Sequence, residues 1–204
     1  GSALLAISPY VTDIENNWYI TKAKRTNLVE LAEHWGITFE NEIAADISCS
    51  RITMYADDNN QTTLLNYPLW ISLLPQENSP LGMTLFWATP LTFTDDNKNI
   101  KPYLITSPAA YSYEIDNQSP EKLIETNPFV LENRSLETST HSRGSIILGA
   151  EITGPLSGLY NFSQTQNSHV IIISDQYFVN SLMTGYIGGD TGDYRNFEFL
   201  TNVL

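Results

Sequence analysis

Residues 169–204 read HVIIISDQYFVNSLMTGYIGGDTGDYRNFEFLTNVL. The run Val170-Ile171-Ile172-Ile173 is β-branched throughout and only a few residues long. Such a run fits a strand covered on both faces, as in a parallel sheet flanked by helices. Ser174 and Asp175 follow at its C-terminal end, and Tyr177, Phe178, Ser181, Leu182 and Met183 continue at helical spacing. Side-chain oxygens at such a step accept the unpaired amides of a helix N-terminus. A glycine-rich loop, 185–192, leads to Asn196 and a last helix with Phe197, Leu200 and Leu204 on one face. Strand, capped helix, glycine loop and helix predict the C-terminal edge of an α/β domain with a Rossmann- or flavodoxin-like, mostly parallel sheet.

The rest of the chain has to supply the partners of that edge. Ala3–Ile7, closing on Ser8-Pro9, reads as a short buried strand. Asn27 caps a helix with Leu28, Leu31, Ala32 and Trp35 on one stripe, Glu30 in its first turn and Gly36 as its stop. Residues 47–55, 83–87, 103–106 and 145–152 read as strands, with polar turns at 57–61 and 95–98. Residues 116–133 read as a polar surface excursion, and 138–144 as a linker-like loop. The β-rich material between Ile47 and Asn133 therefore reads as insertions into the sheet. Helices are too few for a complete doubly wound fold, so part of the sheet is expected upstream of this sequence. Residues 3–204 are expected to form one domain of a longer protein, with Gly1-Ser2 a remnant of cloning.

Composition narrows the classes of function. The 204 residues are 42% hydrophobic and 16% charged, which suits a substantial core and not a disordered chain. A net charge of −13 repels phosphate backbones and anionic headgroups, so neither nucleic acid nor direct lipid docking is expected. No stretch approaches the roughly 20 apolar residues needed to span a bilayer. Cys49 stands alone, excluding a disulfide framework and a thiolate metal site.

Candidate chemistry is sparse. Ser174 has the address of a strand-to-helix nucleophile, yet its neighbours Ile173, Asp175 and Gln176 are not the small residues such an elbow needs. Cys49 lies in a strand-like alternation and reads as a buried small hydrophobe. His34, His141 and His169 lack ligand spacing. Asp190 and Asp193, in the glycine loop, are calcium candidates without the spacing of a regular calcium loop. No Walker or dinucleotide motif is present, so no cofactor and no catalytic residue is assigned. Trp70, Tyr103, Tyr111 and Tyr113, with Asp175, are the candidate ligand or partner surface, since such rings offer flat apolar faces with polar tips.

Six segments carry a resemblance: LLAISPYVTDIENN (4–17), NLVELAEHWGITFENEIAAD (27–46), PLGMTLFWATPLTF (80–93), YLITSPAAYSYEID (103–116), ILGAEITGPLSG (147–158) and the C-terminal VIIISDQYFVNS…NFEFLTNVL. Together they resemble the extracytoplasmic domain of ABC-transporter auxiliary proteins of the gliding-motility type. That family ends in a strand, a Gly-Asp-Ser-Asp-Phe-like turn, an Asn, a glycine-containing loop and an Asn-rich helix that leads to a membrane span. Here the turn is Ser174-Asp175-Gln176-Tyr177-Phe178, lacking the glycine and one acidic position, while Asn180 and Asn196 keep their spacing. The resemblance implies a non-catalytic, periplasmic-side domain, membrane-anchored through segments outside this sequence. Its implied partners are ABC permease and ATPase subunits, with a small ligand or glycan as a further binding partner. Two other readings stay open: a hydrolase or amidotransferase whose nucleophile lies outside this sequence, and a carbohydrate- or peptide-binding module.

Overall fold

The computed structural model describes residues 1–15, 18–23, 27–56, 61–75, 82–93, 99–115, 124–134, 144–160, 164–181, 183 and 194–203. Strands dominate: β1 (Ser2–Ala6), β2 (Tyr10–Asp13), β3 (Tyr19–Lys22), β4 (Ile37–Phe39), β5 (Glu42–Ala45), β6 (Cys49–Ala56) and β7 (Gln61–Leu73) fill the first half with one helix, α1 (Asn27–His34). The second half contains β8 (Met83–Phe86), β9 (Leu91–Phe93), β10 (Ile100–Ile105), β11 (Tyr111–Glu114), β12 (Ile124–Glu125), α2 (Pro128–Arg134), β13 (Ile147–Gly154), β14 (Ser168–Ile173) and α3 (Arg195–Val203).

The main sheet has the order β1-β14-β13-β10. β1 runs parallel to β14, Ser2 opposite His169 through Ala6 opposite Ile173, and every other pairing among the described residues is antiparallel. Smaller sheets, β6-β7-β8, β12-β3-β2, β11-β5 and β4-β9, complete the architecture. The expected Rossmann- or flavodoxin-like, mostly parallel α/β sheet is therefore overturned; the chain is mostly β, with mixed and antiparallel sheets. The cause is specific. An apolar run reports burial on both faces, and β14 has that: Ile171 and Ile173 pack with Phe178 and Phe199, while Val170 and Ile172 pack with Val29, Ala32 and Ile37. Double burial does not fix the direction of the neighbouring strand, and β13 returns antiparallel.

The strand readings elsewhere fall on real strands, because alternation is visible in the text. Along β7, Leu65, Tyr67 and Leu69 are buried while Leu64 and Asn66 are exposed. β7 feeds an aromatic core of Trp18, Tyr67, Trp70, Phe86 and Trp87, their ring centroids 5.2–6.3 Å apart. The 116–133 stretch is not simply a surface excursion: Leu131 of α2 is buried in that aromatic core, and Thr126 accepts the Tyr67 hydroxyl at 2.6 Å.

The sequence after β14 is also corrected. Residues 176–179 form a turn, and the Ser174 hydroxyl donates back to the Leu148 carbonyl at 2.9 Å instead of capping a helix. Asp175 takes the capping role locally, accepting the Tyr177 amide at 2.6 Å. The glycine loop at 185–192 lies outside the described residues.

Candidate functional site

Helix α1 forms where expected and stops at Gly36, whose φ of 97° suits glycine and whose amide donates to the Glu33 carbonyl at 3.0 Å. Its apolar stripe, however, is split. Val29 and Ala32 face the main sheet and are buried, whereas Leu28 is 45% exposed and Leu31 is half-buried. Leu28, Leu31 and Trp35 instead line an apolar cleft of about 610 Å³, closed on its other sides by Ala3, Leu159 and Val170.

The far wall of the cleft is formed by residues 156–160 with Gln164 and Thr165. It is held by reciprocal bonds: the Thr165 amide donates to the Leu156 carbonyl, and the Leu156 amide to Thr165 Oγ1, both at 2.9 Å. Two bonds tie this wall to α1. Trp35 Nε1 donates to the Ser157 carbonyl at 2.9 Å, and His34 Nε2 lies 2.8 Å from Ser157 Oγ. The indole is thus fixed with its apolar face along the cleft and its polar edge satisfied. The described lining side chains include no carboxylate, Lys, Arg or Cys. Volume and lining match a site that recognises apolar groups by contact.

The cleft opens at the free side of β1. The Gly1 carbonyl accepts the His169 amide at 3.0 Å and the Ile7 amide donates to the Ile173 carbonyl at 2.9 Å, so the odd-numbered residues bond to β14. Strand alternation then turns the N–H and C=O groups of Ser2, Leu4 and Ala6 outward. β1 is an end strand of its sheet, and among the described residues nothing pairs with its outer edge. Ser2 and Ala3 are exposed; Leu4, Leu5 and Ala6 are half-buried.

The residues singled out from sequence lie elsewhere. Trp70 is fully buried in the aromatic core, so it offers no surface. Asp175 is also fully buried, accepting the amides of Phe86 at 2.8 Å and Tyr177 at 2.6 Å. Burial pushes its carboxyl up to about 8 despite those two amides. It ties β8 to the turn after β14 and faces no solvent. Tyr103 is 9% exposed against Phe199. Tyr111 and Tyr113 do come together, half-buried with ring centroids 5.6 Å apart, and burial raises the Tyr111 phenol. Ser174 is buried, and Cys49 is half-buried with its thiol pushed up by burial. His169 pairs with Glu151 at 2.7 Å, whereas His34 Nε2 lies against Ser157 Oγ. Asp190, Asp193 and His141 lie outside the described residues, among which no cluster of metal-ligating side chains occurs.

Asp46 is an anchor that the sequence reading misses, and Asn196, singled out there as the start of the last helix, proves to be a second. The buried Asp46 accepts the Ser48 amide at 3.0 Å, the Ser107 amide at 2.8 Å and the Ser107 hydroxyl at 2.6 Å. Asn196 accepts the Thr84 amide at 3.0 Å and donates to the carbonyls of Thr84 and Phe178 at 2.7 and 2.6 Å, clamping α3 to β8. The cleft had no signal in the sequence: Leu28, Leu31, Ala32 and Trp35 have the spacing of an ordinary core-facing stripe.

Comparison with known proteins yields one positive result. A sequence-family model described as an ABC-type uncharacterized transport system matches residues 1–203. A search of curated proteins finds no match.

Proposed function

Because this chain belongs to the ABC-type uncharacterized transport system family, whose model spans residues 1–203, we propose that it is the extracytoplasmic domain of a membrane-anchored auxiliary component of an ABC transporter. It works by contact with the permease and ATPase subunits, or by sensing a ligand for them, and not by catalysis. The family match carries this reading. The site geometry supports it: a largely apolar cleft beside the edge of the main sheet is suited to recognition by contact. No helix among the described residues is long and apolar enough to cross a membrane.

The test is affinity capture of the tagged full-length protein from detergent-solubilised membranes, followed by mass spectrometry. Recovery of an ABC permease and ATPase is the expected outcome. Fractionation as a soluble cytoplasmic protein without membrane partners would sink the proposal.

A further inference from the structure

β8 pairs with β7 along one edge, and its other edge is closed by side chains instead of a strand. The Trp87 amide donates to the Leu69 carbonyl of β7, so alternation along β8 turns the backbone groups of Thr84 and Phe86 to the other side. There the Thr84 amide donates to Asn196 Oδ1 at 3.0 Å, and the Thr84 carbonyl accepts Asn196 Nδ2 at 2.7 Å. One carboxamide thus supplies the acceptor and the donor that a neighbouring strand would offer. The Phe86 amide is held differently, by Asp175 Oδ2 at 2.8 Å.

The two fastenings differ in what stands behind them. Asp175 sits in a turn tied to β13 and β2: the Ser174 amide donates to the Leu148 carbonyl at 2.9 Å, Gln176 Nε2 to the Tyr10 carbonyl at 2.8 Å, and the Thr12 amide to the Tyr177 hydroxyl at 2.9 Å. Asn196 stands on α3. Over residues 195–202 only Asn196 and Phe199 are buried. Phe199 packs on Phe178 and Tyr103, with ring centroids 5.7 and 6.2 Å away, and Asn196 Nδ2 also donates to the Phe178 carbonyl at 2.6 Å. At nine residues, α3 is too short to persist as a helix without those contacts.

We propose that α3 is a releasable strap: the helix melts and leaves β8 as one unit while the main sheet stays folded, baring the Thr84 edge and the rings of Phe178 and Tyr103. The Asp175 bond at Phe86 stays closed in that opening. The inference concerns a motion within this chain and stands apart from the transporter reading.

The test is native-state amide exchange of the whole chain, read at single residues over a series of sub-denaturing urea concentrations. An opening confined to α3 exposes little surface and depends weakly on urea, whereas global unfolding depends on it steeply. The amides of Thr84, Phe199 and Leu200 should share the weakly dependent opening and exchange about tenfold or more faster than those of Phe86 and Ile172, which follow the steep one. Asn196→Ala removes the clamp, and Phe199→Ala removes the ring while leaving the clamp in place. Each should speed Thr84 and α3 exchange about tenfold or more, with the Ile172 amide still protected. A single steep urea dependence for Thr84, Phe86, Ile172 and α3 overturns the strap, since α3 would then leave only when the whole fold does. Rapid exchange in α3 with Thr84 as protected as Phe86 also overturns it, because the helix would fray without letting go of β8. So does loss of Ile172 protection in both variants.

Discussion

β14 and β1 are parallel neighbours with similar text, HVIII against SALLA, and they live in different surroundings. β14 is paired on both edges and covered on both faces, and Ile172 and Ile173 are fully buried. β1 is paired on one edge, and none of its five residues is fully buried. Apolar sequence alone does not say whether a strand is closed or waiting; pairing does. One strand contributes its free energy to holding the fold. The other holds part of its apolar surface and half its backbone valence in reserve.

The comparison is tested most harshly by Ile172→Ala. It should cost about 2–5 kcal/mol in urea unfolding, because the site is enclosed by α1 and both neighbouring strands. The equivalent cut in β1, Leu5→Ala at the position paired with Ile172, should cost clearly less, about 1 kcal/mol, since Leu5 is only half-buried. Equal costs would erase the distinction. Gly149→Ala probes the closed side through β13: an added Cβ would meet Leu104 Cγ at 2.8 Å, and Leu104 is fully buried. A loss of about 1–3 kcal/mol is expected in the same assay.

Asp175 sharpens the contrast through pH. Its folded pKa, about 8, stands above the ordinary value of 3.8, so the folded state retains a proton that the unfolded state releases. The stability this group contributes is fully present below pH 3.8 and is lost as pH rises through about 8. Asp175→Asn removes the titration. Plotted between pH 4 and pH 8, the stability of wild type relative to the variant should fall; a flat difference would mean that the two amides keep the carboxylate ionised. The smallest effect belongs to the open side: Leu28→Ser should change stability by no more than about 0.5 kcal/mol.

The sequence makes strands legible wherever burial alternates, as along β7, and it makes α1 legible through its period and its glycine stop. Strand direction was illegible, because the run at 170–173 records what covers a strand and not which way its neighbour runs. Asp175 was misread for a related reason. Its partner, the Phe86 amide, arrives from a strand almost ninety positions earlier, and no local pattern announces it. Trp70 and Tyr111 looked alike as flat recognition surfaces, yet one is sealed among four other aromatic residues and the other is only half covered. The cleft was not legible: Leu28, Leu31, Ala32 and Trp35 have the spacing of an ordinary core-facing stripe, and the structure buries only Ala32 of the four.

The pairing of Ser2 with His169 also has a temporal consequence. Synthesised at about 5–20 residues per second, β1 leaves the ribosome on the order of 10–30 s before its partner exists. The main sheet cannot nucleate vectorially; β1 must wait while the hairpin of β6 and β7, local in sequence, has every opportunity to form first. Closing so long a loop is slow, but its entropic cost grows only logarithmically with length. β14, made late, is therefore the strand that commits the sheet, and any chain cut short of Ser168 leaves β1 without its described partner.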